Sequence, residues 1–251
     1  MEEKLDLWND APSPVHLQDD YVHVWRANLT VAASHVEELA DVLSLDEQAR
    51  ASRYPLMENR RRFIAARAIL RTLLAHYVSQ PPAELHFSYG PHGKPSLSAE
   101  TELNSIAFNM SHSGDLALYA IARGRAVGID VEWQRPRVNF MRIAERFFSI
   151  EECEALYALP ESARHAAFYR CWTRKEAYVK ARGDGIAAGL DTFSVSMDDV
   201  ACMLRSDEGL GEVARWHLAD ISLGDEYVGA LCAEGAGVSI TRFVWSPSEK
   251  S

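Results

Sequence analysis

The chain has no apolar run long enough to cross a bilayer. Its start, Met1-Glu2-Glu3-Lys4, leads into no apolar stretch of the kind a secretory leader carries, so neither a leader nor a membrane anchor is expected. Cysteine is scarce. Cys153, Cys171, Cys202 and Cys232 are scattered without metal-ligand spacing, which excludes a disulfide scaffold and a cysteine-held zinc site. Four thiols used as small core residues suit a reduced cytoplasm. Positive charge is in deficit: the formal net charge is -10, which argues against non-specific nucleic-acid binding. Three signatures are also missing. There is no G-x-x-x-x-G-K-[ST] phosphate loop, no G-x-G-x-x-G dinucleotide turn and no G-x-S-x-G nucleophile elbow. Gly183-Asp184-Gly185 is too short to act as a phosphate cradle.

What remains is a globular chain. Apolar residues make up 47% of its 251 residues, enough for one large domain or two small ones. Residues 1–19 show little periodicity. Tyr21 to Trp25 reads as a strand. Val36–Leu43 and Asp46–Ser52 read as short helices, with Ser44 as an N-cap before Asp46-Glu47. Asn59 to Val78 is a strong helix, closed by Pro81-Pro82. A strand around Leu85-His86-Phe87 leads into the turn at Gly90-Pro91-His92-Gly93. Ile106–Met110, Leu116–Ala122 and Val127–Trp133 read as strands, followed by helices at 140–147, 150–158 and 161–182. Strands at 192–197, 214–221, 227–232 and 238–244 end the chain. Helices and strands recur in similar proportion in each half, the pattern of a duplicated α+β unit.

Four places carry chemistry. On the strand Val127-Gly128-Ile129-Asp130-Val131-Glu132, alternation puts Asp130 and Glu132 on one face, where they repel unless a cation, water or a base lies between them. A solvated outer strand would also tolerate them. On the helix Trp172-Thr173-Arg174-Lys175-Glu176-Ala177-Tyr178-Val179-Lys180, Glu176 and Lys180 share a face, either as an ordinary intrahelical ion pair or as part of a site. If the fold joins these stretches, three carboxylates can hold a hard divalent cation and the lysines can meet phosphate oxygens. Asn109-Met110-Ser111-His112-Ser113-Gly114 is a polar stretch between two strands. It could bind phosphate, with His112 also a possible base, or simply form a hairpin turn. Finally, Arg60, Arg61, Arg62, Arg67 and Arg71 crowd one helix, with Lys94 after the glycine turn; a bound polyanion or a solvated face would explain them.

Together these pieces resemble the 4'-phosphopantetheinyl transferases, specifically the Sfp-like class. Val127-Gly128-Ile129-Asp130 and Trp172 to Lys180 fit the two halves of that family's signature, and the gap between them fits as well. Gly93-Lys94-Pro95, Phe108-Asn109-Met110-Ser111-His112-Ser113, the basic helix Arg62 to Arg71 and Phe147-Phe148-Ser149-Ile150-Glu151-Glu152 also resemble family elements, in the right order.

The resemblance implies transfer of the 4'-phosphopantetheine arm of coenzyme A to a serine of an apo carrier protein, with adenosine 3',5'-bisphosphate as the other product. It implies Mg2+ held by Asp130, Glu132 and Glu176. Lys180 would contact the diphosphate. Ser111 and His112 would meet phosphates on the adenosine side, with Lys94, Arg67, Arg53 and Arg62 around the 3'-phosphate and adenine. Glu176, or a metal-bound water, would take the serine proton. The acidic carrier would dock near Arg135, Arg137 and Arg142. The implied fold is an α+β pseudo-dimer of two similar halves, 1–114 and 115–251, with the active site in the cleft between them. The expected working form is a cytoplasmic monomer without nucleic-acid or membrane partners. A metal-dependent phosphohydrolase and a non-catalytic binder of coenzyme A or carrier proteins stay open as other readings. Residues 1–19 and 200–251 carry no assignable motif.

Overall fold

Two helices of 22 residues each, α3 (Met57–Val78) and α6 (Glu161–Arg182), organise the molecule. The computed structural model describes residues 8–10, 12, 14–98, 105–135, 138–185 and 189–247. Around the helices the described residues form twelve strands: β1 (Asn9–Asp10), β2 (Tyr21–Asn28), β3 (Phe87–Tyr89), β4 (Pro95–Leu97), β5 (Ile106–Ser113), β6 (Leu116–Arg123), β7 (Val127–Trp133), β8 (Phe193–Val195), β9 (Met203–Ser206), β10 (Trp216–Ile221), β11 (Tyr227–Glu234) and β12 (Ser239–Val244). Shorter helices are α1 (Ala33–Ala40), α2 (Leu45–Ser52), α4 (Phe140–Phe147), α5 (Ile150–Ala158) and α7 (Leu210–Arg215).

The strands form a five-stranded sheet ordered β1-β12-β2-β6-β5, a three-stranded sheet ordered β10-β11-β7, and the hairpins β3-β4 and β8-β9. The duplication is visible in the pairing. β2, two short helices, α3, the β3-β4 hairpin, β5 and β6 make one unit. β7, two short helices, α6, the β8-β9 hairpin, β10 and β11 make the other, apart from the small helix α7. In each unit the first strand pairs antiparallel with the last, which pairs antiparallel with the one before it. The expected division at 114/115 falls in the hairpin between β5 and β6, two strands of one sheet. β12 returns from the far end of the chain to lie parallel to β2 in the same sheet.

Three apolar clusters hold these layers. Trp25, Ile69, Leu73, Phe108 and Tyr119 pack α3 on the first sheet. Val22, Val24, Leu118, Val127, Ile129, Val131 and Leu231 fill the space between the sheets. Phe168, Tyr178, Phe193, Trp216 and Cys232 pack α6 on the second sheet. Each long helix also carries a buried ionic anchor. Ser44 and Glu47 form a reciprocal capping box at the start of α2, and Glu47 receives Arg71 Nε at 2.6 Å. Ser149 and Glu152 do the same at α5, and Glu152 Oε2 receives Lys175 Nζ at 2.6 Å. These carboxylates fill helix-start donors and neutralise a buried cation on the next helix, so few polar groups are left unpaired.

Several local expectations differ from the structure. Leu85 is not in a strand: Pro82–Glu84 forms a 3-10 turn and β3 begins at Phe87, while buried Leu85 plugs the core. The strand expected at Ile106–Met110 runs on to Ser113, so Ser111 to Ser113 belong to β5 and not to the turn that is one reading of them; Asn109, Ser111 and Ser113 find partners on β7. The strand expected from Ala214 begins at Trp216, after α7.

Candidate active site

The site is built where α6 crosses β7. Gly128 makes the crossing possible: a Cβ there would stand 2.1 Å from the Ala177 carbonyl oxygen and 2.3 Å from the Ala181 nitrogen. With only a hydrogen at that point, the helix lies directly on the strand. Alternation turns Val127, Ile129 and Val131 to the space between the sheets, and Asp130 and Glu132 to the other face. Trp133, at the strand end, is 40% exposed.

Lys180 reaches from α6 to Asp130 Oδ1 at 2.6 Å and to Ser111 Oγ at 3.0 Å, and Ser111 donates to the same carboxylate oxygen at 2.8 Å. Asp130 is 3% exposed and Glu176 is 7% exposed. Asp130 Oδ2 and Glu176 Oε1 are buried with no hydrogen-bond partner among the described residues. Burial, then the neighbouring charge of Asp130, pushes the Glu176 carboxyl up to about 7. The same two causes raise Glu132, against a hydrogen bond from Ser113. Three acids are thus crowded together with one ammonium beside them.

Two cavities flank this cluster. One, of about 390 Å³, is lined by His92, Lys94, Asn109, Glu176, Lys180 and Gly183 among others. The larger, of about 730 Å³, is lined by Arg62, His112, Asp115, Glu132, Trp133 and Arg135 among others. His112 stands exposed at the cleft mouth. The crowded cleft walls, then Lys180 and Arg62, lower its imidazole below the ordinary value. Lys94 donates to the carbonyls of Ala181 (2.8 Å) and Val127 (3.2 Å), and burial lowers it to about 8. It therefore ties the β3-β4 hairpin of one unit to α6 and β7 of the other.

The structure does not bring every expected cation here. Lys175 is 0% exposed and faces away, into Glu152 and the Phe193 carbonyl, so it meets no ligand. Arg67 is spent on Glu47 and Tyr89, Arg71 on Glu47 and the carbonyls of Pro82 and Leu85. Arg53 caps the end of α2 in solvent and lines neither cavity. Of the helix arginines assigned to the ligand, Arg62 alone lines the larger cavity, held by Asp115 at 2.8 Å and Glu58 at 2.6 Å. Arg135 and Arg142 are exposed, and Arg137 lies outside the described residues. Asn109 and Ser113, buried beside the carboxylates, read from sequence only as parts of a polar stretch, with no role of their own; their positions four apart on one strand face were the available signal.

The donor set suits a hard divalent cation: carboxylate oxygens, two of them buried and unpartnered. Among the described residues no three of His, Cys, Asp and Glu close into a cage. A cation here would complete its shell with water and phosphate oxygens, as Mg2+ commonly does.

Comparison with known proteins agrees with the geometry. Residues 126–232 match the model of the 4'-phosphopantetheinyl transferase superfamily, and residues 28–123 match that of the 4'-phosphopantetheinyl transferase N-terminal region. The 4'-phosphopantetheinyl transferase HetI of Nostoc sp. is 38% identical over 242 residues, covering 96% of each chain. The 4'-phosphopantetheinyl transferase AcpT of Escherichia coli O157:H7 is 36% identical over 155 residues, 61% of this chain and 74% of its own. The corresponding enzyme Sfp of Bacillus subtilis is 29% identical over 161 residues, 64% of this chain and 69% of its own. The chain belongs to the 4'-phosphopantetheinyl transferase superfamily. It is a transferase of the 4'-phosphopantetheine group, and among its described residues no helix is long and apolar enough to cross a membrane.

Proposed function

We propose that this enzyme moves the 4'-phosphopantetheine arm of coenzyme A to a serine hydroxyl of an apo carrier protein, with Mg2+, and releases adenosine 3',5'-bisphosphate. The observation that carries the reading is the meeting of Asp130, Glu132, Glu176 and Lys180 at the crossing of α6 and β7, with two buried oxygens left free.

Asp130, Glu132 and Glu176 would hold the cation, which supplies positive charge against the diphosphate when bound. Lys180 stands beside them to meet the same oxygens. The serine oxygen forms a bond to the phosphorus next to the pantetheine arm. The bond from that phosphorus to the bridging oxygen breaks, and its electron pair leaves with the adenosine bisphosphate. Glu176, a carboxylate beside the reacting groups, takes the serine proton. Lys180 lowers the barrier by meeting charge that grows on the oxygens as the bond breaks.

Arg62 and His112 face the larger cavity and suit a phosphate monoester there. Lys94 borders the smaller one. Arg67 supports the first unit through Glu47 instead of reaching the ligand. Exposed Arg135 and Arg142 fit an acidic carrier surface. Both walls of the cleft come from one chain, which supports a monomer as the working form. Four unbridged cysteines fit the cytoplasm.

Intact-mass spectrometry of a panel of apo carriers, incubated with the enzyme, coenzyme A and Mg2+, tests this reading. A gain of one phosphopantetheine, lost with EDTA or in Asp130→Ala, is expected. Coenzyme A binding with no gain on any carrier would overturn it in favour of a binding protein. Phosphate-ester hydrolysis without a carrier would favour the hydrolase.

A further inference from the structure

β5 and β7 run side by side in the same direction, yet they belong to different sheets. Side chains join them where a main-chain ladder would. Asn109 Oδ1 accepts the Ile129 N–H at 2.9 Å, and Ser113 Oγ accepts the Trp133 N–H at 3.0 Å. Between these rungs Ser111 Oγ donates to Asp130 Oδ1 at 2.8 Å. The Ser113 hydroxyl does two things at once. Having accepted from Trp133, it donates its one proton to Glu132 Oε2 at 3.0 Å. Ser113 is itself buried, at the wall of the larger cavity, and both bonds are partly buried. A rotor fixed by a main-chain donor holds the carboxylate in one orientation and leaves Oε1 of Glu132 without a hydrogen bond among the described residues.

We propose that Ser113 is a positioning residue for Glu132: it aims that carboxylate into the acidic cluster and so sets the affinity for the divalent cation without being a ligand to it. The inference rests on the reading that Glu132 helps to hold the cation. Without the serine, Glu132 must be ordered by the cation itself, and that ordering entropy is subtracted from binding.

The test is Mn2+ binding to the full-length protein, read from the electron paramagnetic resonance of free Mn2+ well below each variant's melting temperature. Ser113→Ala should weaken Mn2+ by about ten- to a hundredfold, the usual effect of losing a partner that orients a metal ligand. Ser113→Thr, which keeps the hydroxyl, should restore it. If Ser113→Ala does not fold, Ser113→Cys keeps the volume with a weak donor and should also bind Mn2+ less tightly. Glu132→Gln separates the two readings. If it weakens Mn2+ while the folded Ser113 variants bind as the wild type does, the positioning role is overturned and the cation site stands. If Glu132→Gln leaves Mn2+ binding intact, both are overturned.

Discussion

Gly128 lies so close beneath Ala177 that a Cβ added to it would stand 2.1 Å from the Ala177 carbonyl oxygen. That contact is helix backbone and cannot swing aside. The closeness sets how far α6 stands from β7, and with it the reach of Lys180 to Asp130.

Gly128→Ala should therefore both destabilise and disarm the enzyme. Overpacking of this kind costs about 1–3 kcal/mol, occasionally more, and for a chain this size would lower the melting temperature by roughly 2–12 °C. Turnover at a temperature where the variant is still folded should fall as well. Calorimetry and carrier modification measured together check this. A variant with wild-type activity and melting temperature would mean that helix and strand are not so tightly apposed.

Lys175 and Lys180 are expected to separate cleanly. Lys175→Met leaves the buried Glu152 without its cation, a loss of about 3–5 kcal/mol. The fraction that remains folded should bind coenzyme A normally. Lys180→Met should reduce kcat by about a hundredfold or more, as when one donor to a developing charge is removed. Urea melts and steady-state kinetics on both variants decide the matter; equal kinetic damage from both would contradict the assignment of Lys175 to the fold.

The Glu176 carboxyl holds its proton more tightly in the folded protein than in the unfolded chain, because burial and Asp130 raise it from 4.5 to about 7. Its contribution to stability is then complete below about pH 4.5 and is lost as pH rises through 7. With EDTA present, the wild type should lose about 3 kcal/mol more than Glu176→Gln over that interval. Parallel urea-stability curves for the two proteins would refute the raised value. A divalent cation should flatten the wild-type curve, since bound positive charge favours the ionised carboxyl.

Charge reversal at Arg142 addresses the carrier. Its side chain is exposed and lines neither cavity, so Arg142→Glu should raise the KM for an acidic carrier and weaken its salt dependence, leaving coenzyme A affinity unchanged. Coenzyme A titration and carrier kinetics at two ionic strengths check it. Equal loss of both affinities would place this arginine in the coenzyme pocket instead.

Much of the site could be read before any coordinates. Period two put Asp130 and Glu132 on one strand face, and a spacing of four put Glu176 and Lys180 on one helix face. The basic cluster on α3 misled for a definite reason. Composition shows that Arg67 and Arg71 are cations but not which anion they meet, and Glu47 on α2 meets them. Its counterpart, Glu152 with Lys175, repeats the arrangement in the second unit, behind the same Ser-x-x-Glu capping box. Two such boxes, each before a long helix, were a signal of duplication that the strand and helix count only hinted at. The end of β5, Ser111 to Ser113, stays open from sequence between a phosphate-binding stretch and a turn, because polar strand residues resemble loop residues until their partners on another strand are known.

The amino-acid sequence by itself determined the faces: which side of β7 carries the acids, which side of α6 carries Glu176 and Lys180, and where most helices begin. These follow from backbone periodicity and local capping, which need no distant partner. Tertiary structure alone decided which cations reach the cleft and which are consumed by the core. It also decided that β12 returns to the first sheet, and that Ser111 and Ser113 join β5 to β7 beneath Lys180. Those outcomes depend on contacts between segments far apart in the chain, set by how apolar layers pack and where a glycine lets two backbones touch.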